Sequence, residues 1–254
     1  MDRLRSALSA LGAVLTGAGV LILLFVAYQL WGTGLYTSRQ QDSLRSQFNQ
    51  KAKTGQSGSS TTSTTVNPAN LPPPPPSGES VANLRIPKIG VDKYIVQGVG
   101  LADLRKGPGH YPQTPLPGEQ GNAAIAGHRT TYGAPFNRLD ELAPGDEVLV
   151  TTVKGSFTYK VANTHVVKPN QVEVLDPTPT PVLTLTTCNP KYSAKERLVV
   201  VANLAPGQKA TAATPSPAPT PAEKEQALSG DGLGDAGLAS GRSKLPTILW
   251  GLLT

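Results

Sequence analysis

The sequence has little cysteine, little histidine and few aromatics: one Cys, three His, and 5% Phe, Trp and Tyr among 254 residues. Each scarcity excludes something. A lone Cys188 cannot close an intrachain disulfide, so no disulfide framework holds the fold. His110, His128, His165 and Cys188 are spread too widely for a zinc-ligand spacing. With few aromatics and no basic stripe, a nucleic-acid surface is a poor reading of the +6 formal charge. That charge is an excess of three up to residue 80, three over 81–205 and none beyond.

Pro and Gly are plentiful, with 24 and 26 residues, and they mark out the chain's organisation. Residues Ser6 to Ser38 carry no charged side chain, and a membrane-crossing helix needs about 20 apolar residues. A transmembrane helix is expected at about 11–31, with Tyr28, Trp31 and Tyr36 placed as interfacial aromatics. Arg3 and Arg5 ahead of it favour a cytoplasmic N-terminus, while Arg39, Arg45 and Lys51 weigh against that asymmetry. No Ala lies between Ala27 and Ala52 to form a small-x-small cleavage site, so a retained anchor is expected rather than a signal peptide. Residues 1–49 thus read as N-terminus, anchor and flank, and 50–80 as a Ser/Thr/Pro-rich linker with a stiff run at Pro72–Pro76. Residues 206–254 form a low-complexity tail ending in the apolar Leu245–Thr254. Ten residues are too few to span a bilayer; this end is either an interfacial piece or the start of a second span.

Residues 81–205 have the apolar density of a single core, and they read as strands. Leu84–Pro87, Lys93–Val96 and Ala123–Ala126 are short, and 147–153 with 157–161 flank the hairpin signal Lys154-Gly-Ser156. Val182–Thr187 and Leu198–Ala202 read as the most buried pair. Helical pattern is confined to short pieces such as Phe136–Leu142. Many short strands with Gly/Pro turns indicate an all-β barrel or sandwich.

Cys188 ends an apolar strand immediately before Asn189-Pro190, and Arg197 opens the next one, so a strand–loop–strand unit brings the two side by side. A guanidinium there lowers the thiol pKa and stabilises a developing oxyanion. His128 follows another apolar run, 60 residues before Cys188. Thiolate nucleophile and imidazole proton shuttle are the two groups acyl transfer needs. His110, in a Gly/Pro-rich turn, reads as a loop or supporting residue, and His165 as structural or exposed.

Here the motifs become specific. Leu183-Thr-Leu-Thr-Thr-Cys188 leading to Arg197-Leu-Val-Val200 resembles the signature of the sortases, and Ala126-Gly-His-Arg129 is similar to that family's histidine motif. The stretch Gly107–Pro112, with Pro117-Gly118 and Gly121-Asn122, is similar to the segment leading into that histidine. Gly127–Phe136 and the short loop after Cys188 are similar to class E, the housekeeping type of high-GC Gram-positive bacteria. The resemblance covers roughly Asn83 to Leu204. It implies a closed eight-stranded β-barrel with short helices, preceded by the transmembrane helix. It implies an extracytoplasmic cysteine transpeptidase that cleaves an LPxTG- or LAxTG-type sorting signal between Thr and Gly, then transfers the protein to an amine of a peptidoglycan precursor. On this reading Cys188 is the nucleophile, His128 the acid and base, and Arg197 the oxyanion group. Thr187 and Tyr111 are candidate substrate contacts, and no metal or cofactor is expected. The partners implied are surface proteins with C-terminal sorting signals. A pilus-polymerising sortase and a catalytically silent, stalked binding barrel are the competing readings.

Overall fold

The computed structural model describes residues 2–27, 33–57 and 75–213. Most of the proline run, the tail from 214 onward, Tyr28 and Trp31 lie outside the described residues. Two long helices come first, α1 (Asp2–Ala27) and α2 (Thr33–Ser57). Within α1, Ser9–Val26 has a mean hydropathy of 2.3 and no buried share. At 1.5 Å per residue these 26 residues reach about 39 Å, enough to cross a hydrocarbon core. The helix fits a membrane anchor.

The eight strands are β1 (Ser80–Ile86), β2 (Val91–Gln97), β3 (Gly109–His110), β4 (Asn122–Ala126), β5 (Glu147–Thr152), β6 (Gly155–Val167), β7 (Val182–Asn189) and β8 (Glu196–Leu204). They close into a barrel in the order β1-β2-β3-β4-β7-β8-β6-β5. Two pairings are parallel, β2 with β3 and β4 with β7; the others are antiparallel. Closure gives every strand a neighbour on both sides, although β3, two residues long, covers only part of β2 and β4. Among the described residues the other helical pieces are short: a single turn, α3 (Leu101–Leu104), and three 3₁₀ turns.

Side-chain alternation assigns the faces. Ala123 and Ile125 on β4, Leu183 and Leu185 on β7, and Leu198, Val200 and Ala202 on β8 fill the barrel with Leu84, Ile86, Ile95, Val148, Val150 and Tyr159. Their neighbours Ala124, Ala126 and Cys188 belong to a second apolar cluster with Leu104, Tyr111 and Leu175, bordered by Val99, Val172 and Val174. This second cluster lies on the outer face of β4 and β7, which explains why β7 is buried on both sides. Asn122 fastens its cover: its amide donates to Val174 O at 2.9 Å and Asp176 O at 3.1 Å, while its Oδ1 accepts from Thr184 Oγ1 at 2.7 Å.

The helix α2 differs from the expected flank and linker, running through residue 50 and packing against the barrel. Thr37, Gln41, Leu44 and Phe48 are its buried residues, spaced four, three and four apart as one helical face requires. Gln41 stands in for the strand that β3 is too short to supply. Its Oε1 accepts from Tyr94 N–H at 2.7 Å, and its Nε2 donates to Tyr94 O at 3.0 Å and Lys106 O at 2.9 Å. Phe48 meets Tyr94 with ring centroids 5.6 Å apart. Lys51 pairs with Glu79 at 2.7 Å and donates to Ser80 O, closing the helix onto the start of β1.

Candidate active site

The β7–β8 ladder places Cys188 opposite Arg197. Leu198, the next residue on β8, points inward, so Arg197 and Cys188 share the outer face. β4 runs parallel to β7 with Ala126 beside Thr186. The ladder continues one rung further, since Gly127 N–H donates to Thr186 O at 3.0 Å. His128 therefore leaves β4 alongside Cys188 as it leaves β7. The three residues singled out from the sequence come together at one rim, although 60 residues separate His128 from Cys188.

All three are interior: Cys188 and Arg197 are 0% exposed and His128 1%. Arg197 is held by its Nη1, which donates to Ala194 O and Glu196 O, both at 2.9 Å, fixing the guanidinium at the base of the β7–β8 loop. Over His128 lies Tyr132, ring centroids 5.1 Å apart, and the Arg105 guanidinium sits 5.5 Å from the Tyr132 ring. Tyr132 and Ala134 hold positive φ of 49° and 42°, a conformation that costs a non-Gly residue about 1 kcal/mol or more. The loop that covers the imidazole is thus strained. α2 reaches it through Thr37, whose Oγ1 donates to Arg105 O at 3.0 Å.

Tyr111 and Thr187 fall differently from each other. Tyr111 belongs to the outer apolar cluster with Cys188. Its hydroxyl meets Thr186 Oγ1 at 3.1 Å, and burial pushes it up to about 12, so it stays protonated. Thr187 is one residue from Cys188 and so faces the other way. Its hydroxyl donates to Gly127 O at 2.7 Å, anchoring the residue before His128. Gly127 itself admits no side chain, because a Cβ there would lie 2.6 Å from the Phe136 ring.

His110 is buried and supporting. Its Nε2 donates to Pro115 O at 2.9 Å, and its Nδ1 lies 2.8 Å from Gln97 Oε1; burial holds the ring down to about 4, neutral at physiological pH. His165 lies exposed on β6, 3.1 Å from Asn163 Oδ1. Among the described residues no three His, Cys, Asp or Glu side chains gather where they could hold a metal ion.

One residue of the site escaped the sequence reading. Arg129 is 3% exposed, and its Nη1 donates to Cys188 O at 3.0 Å and Asn189 Oδ1 at 2.9 Å. Its Nη2 lies 3.1 Å from Asp140 Oδ1. The available signal was its place directly after His128, where a charged side chain invites the assumption of solvent.

Comparison with known proteins agrees with this geometry. Residues 84–205 match the sortase domain family. The SrtF sortase of Corynebacterium diphtheriae is 31% identical, with a TM-score of 0.50 over 56% of this chain and 92% of that one. The chain belongs to the sortase family. A sortase D5 transpeptidase of Clostridium perfringens superposes with a TM-score of 0.52 at 29% identity, over 67% of this chain and 98% of the other. Sortase SrtE1 of Streptomyces coelicolor is 34% identical over 207 residues, 75% of this chain and 55% of its own length, which places the sortase near class E. The chain spans a little over half the length of SrtE1 and of Sortase D of Bacillus subtilis, 55% and 58%. Sortases are cysteine transpeptidases, and Cys188 is the only cysteine here.

Proposed function

We propose that this sortase is a membrane-anchored housekeeping enzyme that cleaves a Leu-Ala-x-Thr-Gly or Leu-Pro-x-Thr-Gly sorting signal between Thr and Gly and passes the protein to a cell-wall amine. The observation that carries this reading is the outer face of β4 and β7. There the apolar cluster of Ala124, Ala126, Tyr111, Leu104 and Leu175 runs up to Cys188, opposite Arg197. A peptide that begins with an apolar side chain and ends at a scissile bond matches a strand face that is apolar at one end and carries the reacting groups at the other.

On this reading the Cys188 thiolate adds to the Thr carbonyl carbon, and the Arg197 guanidinium stabilises the oxyanion as it forms. His128 gives its proton to the departing Gly amine as the C–N bond breaks, leaving a thioester on Cys188. The same imidazole then takes a proton from the incoming amine, which displaces the thiolate and forms the new amide. Tyr111 packs in the apolar cluster beside Cys188, and Thr187 contributes by fixing Gly127. With α1 as anchor, Arg3 and Arg5 favour the barrel on the extracytoplasmic side, where peptidoglycan precursors and surface proteins meet it.

The test uses the full chain in detergent, both peptides carrying a fluorophore and quencher, and a short amine acceptor. Cleavage after Thr, a Thr-acyl adduct on Cys188 by mass spectrometry, and loss of turnover in Cys188→Ala, His128→Ala and Arg197→Ala are expected. Folded protein that neither cleaves nor acylates would leave a binding barrel in place of an enzyme.

A further inference from the structure

We infer that Arg129 is a positioning residue for transpeptidation, clamping the His128 end of β4 onto the Cys188 end of β7. The inference rests on Cys188 and His128 being the reacting pair.

Thr186 O and Cys188 O are two residues apart on β7 and so point to the same side, toward β4. The first is met by Gly127 N–H. Beyond Gly127 the backbone of β4 departs, and the second carbonyl is met by the Arg129 side chain at 3.0 Å. The guanidinium thus supplies the last rung of a ladder whose backbone has already ended. His128 lies between the two rungs, fastened at 127 by main chain and at 129 by side chain. Its carbonyl also accepts from Phe136 N–H at 3.1 Å, and Arg129 O accepts from Asn137 Nδ2 at 2.9 Å. On the Cys188 side the clamp extends through Asn189, whose Oδ1 accepts from Arg129 and whose Nδ2 donates to Glu196 Oε2 at 2.9 Å, next to Arg197.

The charge matters as well as the shape. Asp140, the counterion, is 45% exposed, whereas the Arg129 side chain is 3% exposed. The carboxylate is partly solvated while the cation lies against the Cys188 peptide. The charged and titratable groups about the thiol are then Arg129 and His128 from the β4 end, Arg197 from β8, the protonated Tyr111, and more remotely Asp140 and Glu196. Among these, the Arg129 and Arg197 guanidiniums favour the thiolate, against the burial of Cys188 itself.

The experiment compares wild type, Arg129→Ala, Arg129→Gln, Arg129→Lys and Asp140→Asn as full chains in detergent. It measures kcat and KM on whichever peptide the wild type cleaves, and the pH dependence of Cys188 alkylation by iodoacetamide. Arg129→Ala is expected to lower kcat about 100-fold, as a displacement near 1 Å does, with KM little changed and the alkylation midpoint moved to higher pH by about one unit. Arg129→Lys keeps the charge but not the fork, so its midpoint should return while kcat recovers only in part. Arg129→Gln should do the reverse, keeping a donor for Cys188 O without the charge. Asp140→Asn leaves the clamp in place and moves the midpoint to lower pH. Unchanged kcat and midpoint in folded Arg129→Ala and Arg129→Gln would overturn the inference, as would losses that merely follow the unfolded fraction in thermal melts. A wild-type chain that is neither active nor alkylated at Cys188 would instead sink the catalytic reading beneath it.

Discussion

His110 makes the stability of this barrel depend on pH in a way that can be worked out in advance. The ring is 1% exposed, held between Gln97 and Pro115, and desolvation lowers it from 6.5 to about 4. The folded barrel therefore favours the neutral ring, whereas the unfolded chain takes up a proton near pH 6.5. Between pH 6.5 and pH 4 the unfolded state binds more protons, so stability rises with pH. The contribution is complete above 6.5 and is lost as pH falls toward 4. At 1.36 kcal/mol per unit, the window amounts to roughly 3 kcal/mol. Urea unfolding from pH 4 to pH 8, followed by the near-ultraviolet dichroism of the buried tyrosines, would measure it in wild type and in His110→Gln. The wild type should lose roughly 3 kcal/mol more than the variant across the window. Asp146, held low by the Ala143 N–H and Lys88, and Glu141, held low by Arg138, lose their contributions at lower pH, and in both proteins alike. Equal slopes between pH 6.5 and 4 would refute the argument, because they would mean that His110 titrates no differently folded than unfolded.

Three further outcomes are expected. Gly127→Ala drives a methyl into the Phe136 ring, at a cost of about 1–3 kcal/mol for overpacking; it should also depress turnover, since His128 is the next residue, and a melt with a rate assay checks both. Gln41→Ala leaves Tyr94 N–H and O without their partners, costing about 1–3 kcal/mol for each unsatisfied group; hydrogen exchange at the Tyr94 amide should accelerate well beyond that of core strands. Tyr132→Ala removes the ring over His128 and should speed iodoacetamide labelling of Cys188; an unchanged rate would mean that Tyr132 does not limit access.

The parts of this structure legible in sequence are those where one residue does one thing. β7 and β8 are rich in apolar and β-branched residues and were readable as buried strands. The β5–β6 turn was announced by Lys154-Gly155, and Cys188 and His128 by their places at the ends of apolar runs. β6 ran longer than its apolar part, 13 residues in place of five, because Asn163, Thr164 and His165 are exposed and leave no pattern. Where an element depends on a partner far away, the sequence was silent. β3 is two residues inside a Gly/Pro segment, a strand only because β2 and β4 lie on either side. α2 buries just Leu44 and Phe48 among its large apolar residues, and Gln41 has no reason to be interior until Tyr94 is seen to need a neighbour. Arg129 is the same case: its role depends on a carbonyl 59 positions away. Thr187 was named as a candidate substrate contact, and strand alternation sets its side chain on the face opposite Cys188.

The docking of α2 changes what the proline-rich stretch is for. Residues 50–80 were read as a linker, yet the barrel is already fastened upstream of them, through Thr37 and Gln41. Only the six steps from Ala27 to Thr33 separate the end of α1 from α2, at most about 20 Å of chain. The stretch between Ser57 and Pro75 begins and ends on the same body. With α1 as the proposed anchor, shortening or lengthening it is expected to leave the height of the rim above the bilayer unchanged, whereas inserting residues between α1 and α2 is expected to raise it.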